Sequence, residues 1–182
     1  MINLPNLITL ARLFASPFAV YLILNANWSP AFWVFVLAGL SDAVDGFIAR
    51  RFDARTLIGG YLDPLADKAL LVSAFVVLGY MGQLPAWLVM LVVFRDLLIV
   101  GGALLVHTLT GRLTMQPLMI SKINTVVQFI LPAYVLGKLA LDVDGDWIAP
   151  TLVYLVAVTT ALSGASYVVI WARRTADIED AR

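Results

Sequence analysis

Six long apolar segments constrain what this chain can fold into more than any other feature of its sequence. Each has about 20 residues, the length that an α-helix needs to cross a hydrocarbon core of about 30 Å. The chain is 62% hydrophobic and 13% charged, whereas soluble domains have about 45–50% apolar and about 25% charged residues. The six segments run over 6–25, 31–50, 61–80, 85–107, 120–141 and 149–171.

No stretch alternates polar and apolar residues with a period of two, the pattern of a membrane β-barrel. In lipid, each segment must satisfy its own backbone polar groups, and an α-helix does so. We therefore predict an all-α integral membrane protein, a bundle of six transmembrane helices. Because no internal repeat is visible, residues 1–182 are predicted to form a single domain.

The basic residues of the loops predict the orientation of this bundle. Lys and Arg are absent from the loops at 26–30, 81–84 and 142–148. On the opposite side lie Arg50, Arg51, Arg55, Arg112, Lys122, Arg173 and Arg174. By the positive-inside rule both termini lie in the cytoplasm. Because a basic stretch and cleavage site of a signal peptide are missing, we expect a bacterial inner-membrane protein, although a mature organellar protein would look the same.

Four aspartates interrupt this apolar chain in the stretch "SDAVDGFIARRFDARTLIGGYLDPLADK" at 41–68. On helices, Asp42 and Asp45 share one face, and Asp63 and Asp67 share a face of the next helix. Holding four carboxylates in hydrocarbon would cost on the order of 10 kcal/mol, comparable to the stability of an ordinary fold. A single aspartate could instead cap a helix or pair with a nearby Arg or Lys.

Divalent cations would offset the cost of holding all four carboxylates together. Because the ligands are all oxygen, they suit Mg²⁺, Mn²⁺ or Ca²⁺ rather than Zn²⁺. Cysteine is absent from the chain, so a thiolate site is excluded. Such a cluster indicates a substrate that carries a phosphate or a diphosphate. A formal net charge of zero gives no reason to predict a nucleic-acid partner.

The same stretch fits the pattern D-x2-D-G-x2-A-R-x8-G-x3-D-x3-D at every fixed position and resembles the signature of the CDP-alcohol phosphatidyltransferases. The resemblance implies that an acceptor hydroxyl attacks the phosphatidyl phosphorus of CDP-diacylglycerol and expels CMP. It also implies two divalent cations, Mg²⁺ or Mn²⁺, and a homodimer embedded in membrane lipids. The site would lie at the cytoplasmic face.

The resemblance further implies roles for individual residues. Asp42, Asp45, Asp63 and Asp67 would bind the metal ions, and Asp67 would also act as the general base. A second set of residues would line the site of the cytidine diphosphate. Some of them lie in the N-terminal stretch "NLPNLITLARLFASP", which is also similar to the family. This set is Gly46, Ala49, Arg50, Gly59, Asn6 and Thr9.

The acceptor is expected to meet polar residues of the later segments, namely Arg95, Arg112, Ser121, Lys122 and Asn124. Arg112 and Lys122 could instead only set topology, and Arg95 could pair with its neighbour Asp96. The stretches "LDPLADK", "RD" and "SKINTVVQ" resemble members that form cardiolipin from phosphatidylglycerol. Members that use glycerol 3-phosphate tend to read "RE" and "GK-x-KT". We therefore predict phosphatidylglycerol as the acceptor, with glycerol 3-phosphate or another anionic alcohol as the alternative.

Two other classes of protein also use intramembrane aspartates. An Asp-lined cation transporter would spread its carboxylates through the membrane or show inverted repeats, whereas these four cluster at one side of the bundle. A membrane prenyltransferase would carry its Asp-rich motifs in separate halves of a longer chain. The clustering favours the phosphatidyltransferase.

Overall fold

The computed structural model describes residues 4–52, 57–110, 118–143, 145 and 147–179, and the side chains of 11–41, 68–102, 118–143, 145 and 147–171. Within these residues the chain forms six α-helices and no strand. The helices are α1 (Leu4–Leu24), α2 (Trp28–Phe52), α3 (Leu57–Tyr80), α4 (Ala86–Thr110), α5 (Met119–Ala140) and α6 (Ile148–Glu179). Each predicted apolar segment coincides with one helix, which confirms the all-α prediction.

The ends of the helices follow the turn residues of the sequence. Gly82 adopts φ +73°, a left-handed conformation that glycine reaches without strain. It terminates α3, where the N–H of Gln83 donates to the carbonyl of Leu78 at 2.8 Å. α6 continues eight residues beyond the predicted segment end at 171, as far as Glu179, through alanines and arginines that favour helix.

The helices are arranged in a ring. α1 packs against α2 and α3, α2 packs against α5, α5 against α6, α6 against α4, and α4 against α3. The order around the ring is therefore α1, α2, α5, α6, α4, α3. α3 also touches α5 and α2, so α5 contacts both helices that carry the aspartate motif.

An apolar core fills the half of the bundle next to the connections at 25–27, 81–85 and 141–143. Its fully buried members include Ile23, Phe35, Phe75, Leu78, Leu88, Leu131, Leu136 and Val156. The Phe35 ring stacks on Phe129 with centroids 4.9 Å apart. Gly39 lies against the same Phe129 ring, which a Cβ would overlap. Since lipid is as apolar as these side chains, close packing of this kind must stabilise the helix contacts in a bilayer.

The outer surface of the bundle is also apolar. Phe14, Met90 and Phe94 are 65–67% exposed, an arrangement that suits a lipid environment. Among the described residues, Met119–Ala140 and Ile148–Trp171 are long and apolar enough to cross a membrane, and Ala11–Leu24, Trp28–Ser41 and Lys68–Tyr80 are shorter apolar helical stretches. The prediction of six spans with cytoplasmic termini, and of one domain, stays a prediction.

Candidate active site

A layer of buried and partly buried polar side chains lies beside the apolar core. We define the polar layer as Arg12, Ser16, Lys68, Ser73, Arg95, Asp96, Ser121, Asn124, Gln128, Thr159, Thr160 and Ser163. On α3, the first described side chain is Lys68, which belongs to this layer and follows the motif residue Asp67 directly in the sequence. Of the two helices that carry the aspartates, α3 therefore contributes residues to the polar layer.

Arg95 is the centre of this layer, and its side chain is 4% exposed. Its Nη2 donates to Ser121 Oγ at 2.6 Å and to Ser163 Oγ at 2.5 Å, and its Nε donates to Ser163 Oγ at 3.2 Å. Its Nη1 donates to Asp96 Oδ1 at 2.7 Å. The guanidinium presents several donors in a fixed fork, so one side chain joins α4 to α5 and α6.

Asp96 holds a second cation besides Arg95. Lys68 Nζ lies 2.8 Å from Asp96 Oδ1, the same oxygen that binds Arg95. The pairing of Arg95 with Asp96, which the sequence offered as an alternative, is therefore present. Adjacent helical residues point about 100° apart, but the length of the arginine lets its guanidinium reach back. Because a buried charge requires a partner, Asp96 stabilises both cations and joins α3 to α4.

Asn124 forms the second part of the layer, between α5 and α6. Its Oδ1 accepts hydrogen bonds from Thr159 Oγ1 and Thr160 Oγ1, each at 2.9 Å. Gln128 Nε2 donates to Thr160 Oγ1 at 3.2 Å. Asn124 is fully buried, so this hydrogen-bonded cluster excludes water.

The hydroxyls of α6 were not among the predicted site residues. Thr159, Thr160 and Ser163 interrupt an apolar segment in the sequence "TTALS". Such residues often bond only to the carbonyl four residues earlier in their own helix, as half-buried Ser166 does with Leu162 at 2.8 Å. Sequence alone gives no sign of which hydroxyl faces another helix.

The predicted acceptor residues fall in three places. Arg95, Ser121 and Asn124 lie together in the polar layer, with Arg95 and Ser121 in direct contact. Lys122 is exposed, on a different face of α5 from its neighbour Ser121. Arg112 lies outside the described residues.

The motif positions lie on two consecutive helices. Asp42 and Asp45 belong to α2, whereas Asp63 and Asp67 belong to α3. Their side chains, and those of the predicted nucleotide residues, lie outside the described residues. The predicted nucleotide residues are Asn6 and Thr9 of α1, Gly46, Ala49 and Arg50 of α2, and Gly59 of α3.

The helical backbone of α2 and α3 determines whether the four aspartates are placed so that they could bind metal ions. With spacings of three and four residues, each aspartate pair lies on one face of its helix. α2 and α3 contact each other, and a donor set made only of carboxylates suits Mg²⁺ or Mn²⁺. Among the described side chains no group of three or more His, Asp or Glu comes together.

A comparison with protein families decides the membership of this chain. The sequence model of the CDP-alcohol phosphatidyltransferases matches residues 2–172. The chain belongs to the CDP-alcohol phosphatidyltransferase family. The match confirms the resemblance that the aspartate motif carries.

Individual relatives of this chain carry two kinds of name. A Schizosaccharomyces pombe protein named cardiolipin synthase (CMP-forming) / mitochondrial hydrolase fusion protein is 35% identical over 91% of this chain and 30% of its own length. The human cardiolipin synthase (CMP-forming) is 33% identical over 91% of this chain, which spans 60% of the human protein. The Escherichia coli CDP-diacylglycerol–glycerol-3-phosphate 3-phosphatidyltransferase is 33% identical, over 91% of this chain and 92% of its own length.

Proposed function

We propose that this protein is a membrane phosphatidyltransferase of phospholipid synthesis. It transfers the phosphatidyl group of CDP-diacylglycerol to phosphatidylglycerol, with cardiolipin and CMP as products. The observation that carries the proposal is the complete aspartate motif on α2 and α3 of a chain in this family. Membership in the family favours a transferase over the cation transporter and the prenyltransferase.

In the proposed reaction, Asp67 removes the proton from the acceptor hydroxyl. The hydroxyl oxygen bonds to the phosphatidyl phosphorus, and the bond from that phosphorus to the CMP oxygen breaks. Two divalent cations, Mg²⁺ or Mn²⁺, bound by Asp42, Asp45, Asp63 and Asp67, would supply charge stabilisation on the diphosphate when present. CMP leaves with the electron pair of the broken bond.

The nucleotide would be bound by residues on three helices. Arg50 is suited to a phosphate group, because a guanidinium pairs with two phosphate oxygens at once. Gly46, Ala49 and Gly59 have small side chains, so a ligand can approach the backbone closely. Asn6 and Thr9 would contact the nucleotide from α1.

The acceptor head group would bind against the polar layer. Arg95 has five N–H donors, and its four hydrogen bonds to described residues leave one N–H for an acceptor oxygen. Ser121 and Asn124 lie on the same side of α5. Arg112 and exposed Lys122 would attract an anionic head group to the membrane surface.

Phosphatidylglycerol is preferred as the acceptor because of three short stretches. "LDPLADK", "RD" and "SKINTVVQ" resemble the cardiolipin-forming members of the family. The specific alternative is glycerol 3-phosphate. The observation that favours it is that this chain spans 92% of the Escherichia coli enzyme of that name but 60% of the human cardiolipin synthase.

The proposal also includes the setting of the reaction. We place the protein in a bacterial inner membrane as a homodimer, with six spans, both termini in the cytoplasm and the site at the cytoplasmic face. There, water-soluble CMP can leave while the lipid tails of donor and product stay in the bilayer.

Purified full-length protein in mixed micelles tests the proposal. CDP-diacylglycerol, Mg²⁺ or Mn²⁺, and each acceptor in turn are supplied, and CMP release and the lipid product are measured. We expect CMP and cardiolipin with phosphatidylglycerol. CMP release with glycerol 3-phosphate alone would overturn the assigned acceptor, and no CMP with any acceptor would overturn the transferase itself.

A further inference from the structure

The oxygen of the Asn124 side-chain amide is hydrogen-bonded, whereas its nitrogen has no partner among the described residues. Its Oδ1 accepts from two threonine hydroxyls of α6, whereas its Nδ2 is buried and has no hydrogen-bond partner within the described part of the chain. Asn124 is fully buried, so water on the surface does not satisfy this nitrogen. Buried donors are normally hydrogen-bonded, so a bound ligand is a candidate acceptor for this nitrogen.

The orientation of this amide follows from its neighbours. Thr160 Oγ1 accepts from Gln128 Nε2 at 3.2 Å, and its own proton is directed to Asn124 Oδ1 at 2.9 Å. If the amide were turned over, Thr160 Oγ1 would accept two hydrogen bonds and its proton would lose this acceptor. In this assignment Oδ1 is directed toward α6, where Thr159 Oγ1 also lies 2.9 Å from the Leu155 carbonyl of its own helix, and Nδ2 is directed away from α6.

The other neighbours of α5 are informative about what Nδ2 can meet. α5 also packs against α2 and α3, the two helices that carry the aspartate motif. Asp67 can remove the proton of an acceptor alcohol only if the hydroxyl of that alcohol lies within reach of its carboxylate. An acceptor head group that loses its proton to Asp67 would therefore approach between α5 and these two helices.

We propose that Asn124 is a specificity-determining residue that donates hydrogen bonds to an oxygen of the acceptor head group and favours a singly charged phosphodiester over a phosphomonoester. Thr159, Thr160 and Gln128 are positioning residues for its amide. The inference rests on the proposed function, and it adds the residue that selects the acceptor.

The charge of the layer supports this selectivity. Lys68 and Arg95 share the single carboxylate of Asp96, so these three groups carry one positive charge in excess, which the single charge of a phosphodiester would balance. A phosphomonoester carries about 1.5–2 negative charges at neutral pH, and a neutral amide cannot balance the second one. Burial of uncompensated charge is costly, whereas the single shared charge of a phosphodiester demands less compensation.

A competing explanation is that Nδ2 donates to a carboxylate of the motif. In that case removal of the amide would disturb the metal ions and CDP-diacylglycerol first. The preference for one acceptor over another would then change only together with the binding of the metal ions and of CDP-diacylglycerol. The two explanations are separated by comparing Michaelis constants for donor, metal and acceptor.

The test uses the full-length protein and three variants, Asn124→Ala, Asn124→Lys and the control Thr125→Ala. Thr125 is exposed, and its hydroxyl bonds only to the Ser121 carbonyl among described residues. We expect Asn124→Ala to lower kcat/KM for phosphatidylglycerol by about 10–100-fold, the loss associated with a buried donor and its partner, with KM for CDP-diacylglycerol and the metal requirement unchanged. Thr125→Ala should match the wild type.

Asn124→Lys places a cation where the amide was. We expect it to raise the rate with glycerol 3-phosphate relative to phosphatidylglycerol by at least about tenfold, because a cation balances the second phosphate charge. An unchanged acceptor ratio in this variant, or a parallel rise of the donor and metal constants in Asn124→Ala, would overturn the inference.

A variant that keeps Asn124 guards against loss of folding. Thr160→Val preserves the shape of the side chain but removes the hydroxyl that orients the amide. Raised KM for phosphatidylglycerol with unchanged KM for CDP-diacylglycerol is expected, and unchanged KM for both would overturn the positioning role. If the wild type uses only glycerol 3-phosphate, the proposed acceptor and the proposed preference for a phosphodiester are both wrong. In that case, a higher KM for glycerol 3-phosphate in Asn124→Ala would support only the contact between Asn124 and the acceptor.

Discussion

Lys68 Nζ and Asp96 Oδ1 lie 2.8 Å apart and join α3 to α4 one residue after Asp67. The same carboxylate oxygen binds Arg95 at 2.7 Å, and Arg95 in turn reaches Ser121 on α5 and Ser163 on α6. Four helices are therefore held together by one connected set of side chains. The proposed general base is adjacent in sequence to the end of that set.

Asp96→Asn should destabilise the fold, because it removes the countercharge of two cations at once. We expect a loss of about 2–3 kcal/mol in unfolding free energy. This is below the 3–5 kcal/mol of a fully buried pair, because the Lys68 side chain is 38% exposed and water screens it. Denaturation by SDS in matched micelles measures the change.

Asp142→Asn is a matched control for Asp96→Asn. Asp142 is exposed, lies at the other end of the bundle and has φ 51°, a left-handed conformation that asparagine tolerates well. A similar loss of stability in both variants would contradict the role assigned to Asp96.

Arg95→Lys tests whether the fork of the guanidinium, rather than its charge, joins the helices. A lysine keeps the charge but cannot reach Asp96, Ser121 and Ser163 together. We expect a loss of about 1–3 kcal/mol, and Ser163→Ala should cause a smaller loss of the same kind. Ser166→Ala, whose hydroxyl bonds to its own helix, should leave stability unchanged; full stability of Arg95→Lys would show that charge alone suffices.

The six helices follow from the sequence, because apolar segments of membrane length admit few other structures. The order of the helices around the ring does not follow from it. That order depends on specific packing such as Phe35 on Phe129, between α2 and α5, and on Gly39 fitting beneath the same ring. Hydropathy treats these residues as interchangeable with their neighbours.

The site was predictable only where charge made it conspicuous. Aspartates in an apolar chain are visible in the sequence, and so are Arg95 and Asp96. Adjacent helical residues point in different directions, so the sequence disfavoured an ion pair between Arg95 and Asp96. That expectation left out the length and flexibility of the arginine side chain. Thr159, Thr160 and Ser163 were missed because hydroxyls that satisfy their own helix and hydroxyls that bind another helix look alike in sequence.

Asp67→Asn should abolish most turnover while leaving substrate binding in place. The amide cannot accept the hydroxyl proton, so kcat should fall by about 10²–10⁴-fold, the usual contribution of general base catalysis. Binding of CMP, followed by calorimetry, should change by no more than a few-fold. Asp142→Asn is again the control, and near-normal turnover of Asp67→Asn would remove Asp67 from this role.

Removal of divalent cations should stop CMP release. Treatment with EDTA is expected to reduce the rate to background, and Mg²⁺ or Mn²⁺ should restore it, because the donor set is all carboxylate. Zn²⁺, which prefers nitrogen and sulfur ligands, should restore it poorly. Asp45→Ala should raise the Mg²⁺ concentration needed for half-maximal rate, whereas Asp142→Ala should not; undiminished activity in EDTA would contradict the metal site.

Gly39→Ala should weaken the contact between α2 and α5. A Cβ at Gly39 would overlap the Phe129 ring, so we expect a loss of about 1–3 kcal/mol, the usual cost of overpacking. Gly101→Ala is the matched control, because a Cβ there has no neighbour within 4 Å among described residues and alanine favours helix. Phe129→Leu should partly restore the stability of Gly39→Ala by clearing space for the methyl group. SDS denaturation of the wild type, the three single variants and the Gly39→Ala/Phe129→Leu double variant measures this coupling. Equal effects at Gly39 and Gly101 would show that this close approach of the two helices is not required.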